Sequence, residues 1–299
     1  MRSARDLALA VLGAFAFANT LVWGRAAQRV GADEPALLSV RFLLTGLLVL
    51  GLLVALGRPL LPAVGERAIV FGLGIVAYGV ESVFFFLALE RGSSASVVLL
   101  FYTHVVIVAV AEVLLGTLRP SLRIVVAIVL ALGGGALVAL GGGGDARLSP
   151  TGFLFVLGSI ACYSTYVVVS ARLVRRTEPI TAAAWVALGA SAGVAAWGVG
   201  RGGFGALPAV GFRAVVLMAA ATAAAFALWF VVVPRLGSTR TAIVMMLEAP
   251  FSIALTALAF DDRVGALVAA GGVLVLAGSL LAATMGPDEV ERLEAATSP

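Results

Sequence analysis

Apolar residues run in ten long stretches along the chain, with short polar clusters between them. The stretches cover roughly residues 6–25, 35–56, 68–89, 94–115, 121–141, 150–170, 179–199, 212–233, 239–260 and 264–285. Each is close to the roughly 20 residues that a helix needs to cross the hydrocarbon core of a bilayer. The pattern predicts an all-α membrane protein of about ten transmembrane helices. The breaks are marked by Arg, Gly and Pro, as in Gly57-Arg58-Pro59, Glu90-Arg91-Gly92, Arg119-Pro120, Gly141 to Asp145 and Arg235-Leu236-Gly237. Connections this short hold no folded unit outside the membrane.

The stretches repeat. Leu9, Val11, Leu12, Gly13, Ala16 and Thr20 match Leu154, Val156, Leu157, Gly158, Ala161 and Thr165 at an offset of 145. Glu34-Pro35 matches Glu178-Pro179 at 144, while Gly92-Ser93 matches Gly237-Ser238, and Gly133 matches Gly278, at 145. Each unit then holds five spans, and an odd number turns the second copy upside down in the membrane. The expected architecture is two inverted five-helix repeats, 1–145 and 146–286, followed by a short polar cytoplasmic tail, 287–299.

Composition narrows the function. Charged residues make up 12% of the 299 and mean hydropathy is +1.12, too little charge to hydrate the surface of a soluble domain, where roughly 25% is usual. All 20 basic residues are Arg. They lie scattered between apolar runs, which is the pattern of membrane flanks and not of a nucleic-acid surface. With the N-terminus inside, the inner loops hold twelve (Arg2, Arg5, Arg58, Arg67, Arg119, Arg123, Arg172, Arg175, Arg176, Arg235, Arg240, Arg292) and the outer loops seven (Arg25, Arg29, Arg91, Arg147, Arg201, Arg213, Arg263). That bias predicts an inner-membrane, multi-pass protein with both termini cytoplasmic. Met1-Arg2-Ser3-Ala4-Arg5 and the apolar run after it read as an uncleaved first helix, although Ala16-Phe17-Ala18 resembles a signal cleavage site. The single Cys162 and single His104 argue against a disulfide and a zinc site. Without a Lys-Ser/Thr after it, Gly141 to Gly144 is no phosphate loop. No cofactor, metal or nucleic-acid partner is expected. The expected partners are the lipid bilayer, a small-molecule substrate and protons, with self-association left open.

The second span reads Pro35-Ala36-Leu37-Leu38-Ser39-Val40-Arg41-Phe42-Leu43-Leu44; the third and fourth carry Tyr78, Phe86-Leu87-Ala88-Leu89 and Ala95-Ser96; the ninth carries Leu247-Glu248-Ala249-Pro250. Across essentially the whole chain these passages resemble the EamA-type members of the drug/metabolite transporter superfamily. The resemblance implies a ten-helix permease moving small metabolites, often outward. The chain departs from the pattern at three places. The fourth-helix proline of the family falls at Val105, so that helix is expected to lack its kink. The acid at the end of that helix falls at Thr117, and its second-repeat counterpart is the shorter Asp262.

Ionisable residues inside spans cost about 2.5–3.5 kcal/mol each on insertion scales and so mark functional positions. Glu81 lies 11 residues before Gly92 and His104 lies 12 after it, each roughly 17 Å from the hairpin turn. Glu248 lies 11 residues after Gly237, at the same depth from the opposite side. Glu81 and His104 are expected to be neighbours. A carboxylate beside an imidazole can pass a proton between them; the plainer reading is a protonated Glu81 bonded to a neighbouring helix and a neutral His104. Glu248 is a site or gate residue, or a packing acid beside a kink at Pro250. Tyr102, Asn19 and Trp229 complete the candidate substrate or proton pathway. Arg41, six residues into its helix, reads either as a polar group at partial depth in the bundle or as a side chain that snorkels to the interface. Gly189 and Gly193, and the run Gly133-Gly134-Gly135, let helix backbones approach closely. No catalytic residue is expected. The competing readings are a membrane-embedded enzyme and a non-transporting sensor or assembly protein, but the paired acids that an enzyme's metal site needs are not apparent.

Overall fold

The computed structural model describes residues 2–91, 97, 100–116, 121–141, 148–260 and 265–283. Within these the chain forms α1 (Arg2–Arg29), α2 (Glu34–Ala55), α3 (Arg67–Gly72), a π-helical segment (Leu73–Gly79), α4 (Val80–Leu89), α5 (His104–Leu114), α6 (Leu122–Gly141) and α7 (Pro150–Leu173). It continues as α8 (Pro179–Gly200), α9 (Ala209–Leu236), α10 (Ser238–Met245), α11 (Glu248–Phe260) and α12 (Ala266–Ala283). Gly92, Ser93, Ala95, Ser96, Thr117, Asp262 and the tail 287–299 lie outside the described residues, as do Arg119, Arg147, Arg263 and Arg292.

Local chemistry fixes several starts. Asp33 caps α2 by accepting from Ala36 N (3.2 Å), and Ser149 caps α7 by accepting from Gly152 N (3.0 Å). In both, a proline follows in the first turn, where no backbone N–H is needed. Among the described residues, seven helices are long and apolar enough to cross a membrane, and His104–Leu114, Leu122–Leu137 and Ala266–Leu281 are shorter apolar helices. Bulky apolar side chains face outward: Leu258 is 82% exposed and Leu114 81%. In water such a surface would be a severe liability, whereas lipid solvates it. The protein is an all-helical, multi-pass membrane protein.

The packing obeys an exchange of the two halves. Helix α1 lies along α9, as α4 lies along α7. Helix α2 touches α9, as the π-helical segment touches α8, and α1 touches α11, as α5 touches α7. The pairs α2–α8 and α6–α12 map onto themselves. This is the contact pattern of two copies of one unit exchanged by a two-fold relation.

Close backbone contact holds the third span to α8 and the self-paired α6 to α12. A Cβ on Gly74 would stand 2.3 Å from Val186 O, one on Gly189 2.4 Å from Phe71 O, and one on Gly193 2.8 Å from Ile75 O. Gly134 lies against Gly271 and Val275, and Gly278 against Ala127 and Ala131. Small residues at both faces allow this approach. At the end of the bundle that carries the N-terminus, Asp6 pairs with Arg235 (2.9 Å) and Arg58 with Glu178. There the loop before α3 is clamped to the α7–α8 loop. Glu66 accepts from Arg175 N (3.2 Å), Arg176 N (2.9 Å), Thr177 N (2.8 Å) and Thr177 Oγ1 (2.6 Å). At the other end Glu90 meets Arg91 (3.0 Å) and Arg201 (3.3 Å), and Asp33 N donates to Ala206 O (3.0 Å).

Candidate functional site

Three spans are irregular near their middles, and the candidate ionisable residues sit at the irregularities. In the third span Val80 N bonds Ile75 O, one residue beyond the helical register. This π-type widening, common at functional sites, ends one residue before α4 and two before Glu81. In the ninth span the helix stops at Met245, turns through Met246 and Leu247, and restarts at Glu248. Pro250 is the cause: it has no N–H for Met246 O and its ring crowds that carbonyl. The turn tightens instead, with Leu247 N on Val244 O (3.1 Å) and Ala249 N on Met246 O (3.1 Å).

The fourth span is also broken, although Val105 stands where the kinking proline was expected. Leu100 and Phe101 are helical, Tyr102 and Thr103 form a turn, and α5 begins at His104. Side chains replace the proline here. Thr103 Oγ1 donates to Leu100 O (2.7 Å), and His104 Nδ1 lies 2.8 Å from Phe101 O. A carbonyl only accepts, so Nδ1 is the protonated nitrogen of this pair. His104 and Glu248 each open the second half of a broken helix, and they are 144 residues apart, matching the repeat offset.

The two first-repeat residues do not pair as expected. Glu81 accepts from Ser159 Oγ (3.1 Å) and Ser82 Oγ (3.2 Å). The His104 ring instead stacks against Tyr163 (centroids 4.7 Å) and Phe101 (5.0 Å). Equal depth fixed only one coordinate. Helix α7 serves both residues, since Ser159 and Tyr163 are one turn apart on one of its faces. Glu248 is enclosed by protein yet keeps accessible surface, and its carboxylate makes no hydrogen bond to a described residue.

Arg41 does not snorkel. It is 9% exposed, donates from Nε to Thr222 Oγ1 (3.0 Å) and lies over the Phe42 ring. Its charge acts on Tyr78, Glu248 and Glu81. Sequence reasoning missed this residue's place, and with it an aromatic chain that lines the interior. Tyr78 contacts Phe42, Tyr166 and Phe226; Tyr163 contacts Tyr166 (6.0 Å), and Tyr166 contacts Phe230 (6.4 Å). The signal available was that all four tyrosines, Tyr78, Tyr102, Tyr163 and Tyr166, fall inside apolar spans.

The remaining candidates separate. The Tyr102 ring packs over the Gly135 backbone at the fourth-span break. Asn19 turns its amide onto Phe15 O of its own helix (2.9 Å). Trp229 is buried, its Nε1 has no partner among the described residues, and the residue lines a cavity of about 350 Å³ with Ser170, Arg175, Thr177, Phe230 and Val233. That cavity lies towards the N-terminal end and does not reach Glu81, His104 or Glu248. Among the described residues no group of three His, Cys, Asp or Glu is placed to hold a metal ion.

No curated protein matches the chain. One solved structure, titled only as the crystal structure of a protein, is similar with a TM-score of 0.79 at 20% identity, covering 93% of this chain and 99% of that one. It supports the fold alone. Residues 5–140 and 150–284 each match the profile of the EamA-like transporter family. Two matches cover nearly all of the chain in the same two halves that the packing exchanges, and the chain belongs to the EamA-like transporter family.

Proposed function

We propose that this protein is a permease for small metabolites in the inner membrane. Ten spans form two inverted five-helix repeats that work by alternating access, with both termini cytoplasmic. The observation that carries the reading is the matched pair of broken helices: His104 and Glu248 open the second half-helix in each repeat, 144 residues apart. Broken helices facing an internal site are a recurrent transporter device, because half-helix ends offer partial charges where lipid cannot reach. Glu81, His104, Glu248 and Tyr102 line the path, Arg41 balances its acids, and Trp229 stands at its N-terminal end. Asn19 is set aside, since its amide is held by Phe15. The driving force is a coupled proton or the substrate's own gradient.

The test begins with a metabolite thermal-shift screen on purified protein, followed by counterflow of the hit in proteoliposomes. Glu248→Gln keeps the size and removes the charge; insertion is expected to survive while counterflow falls at least tenfold. Unchanged counterflow at every pH would reduce Glu248 to a packing residue.

A further inference from the structure

The two broken helices share one shortened turn. Val105 N bonds Tyr102 O (3.2 Å) in the fourth span, and Ala249 N bonds Met246 O (3.1 Å) in the ninth, the same step 144 residues on. Each bond falls one residue short of the partner that a regular α-helix would use. In the fourth span that partner is Phe101 O, and the His104 ring takes it, with Nδ1 2.8 Å away. A carbonyl has no proton to give, so Nδ1 carries the hydrogen. No carboxylate of a described residue pairs with the ring, and an unpaired imidazolium would be a bare charge in an apolar interior. The ring is therefore neutral, and Nε2 is a bare acceptor. Contacts with Tyr163 and Phe101 hold it in that orientation. Nε2 has no partner among the described residues. Unlike Ser39 Oγ, Ser164 Oγ and Trp229 Nε1, it is not sealed off, and it shares in the 6% of His104 that stays accessible. Glu248, at the same place in the second repeat, also accepts from no described residue and keeps accessible surface. Tyr163, against the His104 ring, lies in the field of Glu248 and Glu81.

We propose that His104 is a specificity-determining residue whose Nε2 accepts a hydrogen bond from an N–H or O–H of the transported solute. An acceptor left bare in an apolar interior costs free energy that a donor recovers. The solute class is a small molecule with such a donor on the end held at the fourth-span break. An ether, a tertiary amide or a carboxylate at that end has nothing to offer Nε2. The shortened turn sets the tautomer, so the break in the helix decides what the side chain can recognise. A ring that only accepts does not carry a coupled proton, and in proton-driven transport that task falls to the acids. The proposal deepens the permease reading and rests on it for the place of His104 on the solute path.

His104 is the single histidine of the chain, so labelling histidine ring nitrogens with nitrogen-15 gives one pair of imidazole resonances from the purified full chain. At neutral pH the expected spectrum is that of the neutral Nδ1–H tautomer. The Nε2–H tautomer, or an imidazolium, overturns the proposal. The probes are acetamide, which has N–H donors, and N,N-dimethylacetamide, which keeps the carbonyl and has none. Acetamide is expected to move the Nε2 resonance saturably, with N,N-dimethylacetamide at least about tenfold weaker. Equal responses to the two amides, or no response to acetamide, overturn the proposal as well. These readouts use the wild-type protein and need no transport. Absence of counterflow with the tautomer and the acetamide response intact would sink the permease reading and leave the acceptor standing.

Discussion

Arg41 holds its place among apolar helices through a hydrogen bond to Thr222 and the face of the Phe42 ring, within the field of Glu248 and Glu81. Arg41→Gln removes the cation whose field reaches both acids. Counterflow is expected to fall at least tenfold in Arg41→Gln. In a double-mutant cycle, Arg41→Gln with Glu248→Gln should lose less than the sum of the single changes. Strict additivity would show that the two groups do not act on one another. The acids and His104 could be picked out from sequence because ionisable residues stand out against apolar runs. Arg41 stood out as well, but its direction did not. Leucines surround it on every face of α2, and lipid and protein core are equally apolar, so periodicity does not tell inward from outward.

At the scale of elements, backbone irregularity was harder to read than helix existence. The third span reads as one continuous helix, and nothing in Leu73-Gly74-Ile75 announces a π-type register. The glycines hinted at it from the other side, because Gly189 and Gly193 are the surface that the irregular segment rests on. The fourth-span break escaped because proline was the only cause considered, whereas Thr103 and His104 reach their own carbonyls. The Gly74 contact gives a direct test. Gly74→Ala would put a methyl group 2.3 Å from Val186 O, and overpacking of this kind destabilises by about 1–3 kcal/mol. Gly51→Ala meets open space in mid-helix and should stabilise slightly, by up to about 1 kcal/mol. Melting in detergent should rank the proteins Gly51→Ala, wild type, Gly74→Ala. A Gly74→Ala protein as stable as wild type would mean that the α8 contact is looser than it looks.

For the whole molecule, the ten stretches and the constant offset made the two-repeat plan visible early, because repetition survives a limited apolar alphabet. The clamp between halves was invisible, since Glu66 is an ordinary loop acid until the α7–α8 loop arrives. Burial pushes its carboxyl up, but the hydrogen bonds from Thr177, Arg176 and Arg175 outweigh this and hold it below the usual carboxylate range. The folded protein therefore binds this proton less readily than the unfolded chain. The clamp's stabilisation is complete above about pH 4.3 and is lost as pH falls through the lower folded value. Glu66→Gln is expected to cost about 1–3 kcal/mol at neutral pH and to remove that part of the acid dependence in a melting series. An identical acid profile in both proteins would dismiss the clamp as a source of stability.

The clamp and the Arg41 site share one trait: each is completed by residues made much later than those it serves. When residue 141 has just been joined to the chain, Ser159, Thr177 and Thr222 have not. Until they arrive, Glu81 has only Ser82 of its observed hydrogen-bond partners, Arg41 has none, and Glu66 has only solvent. The first half of this protein therefore enters the membrane carrying charges whose partners do not yet exist, and its insertion is provisional until the second half is made.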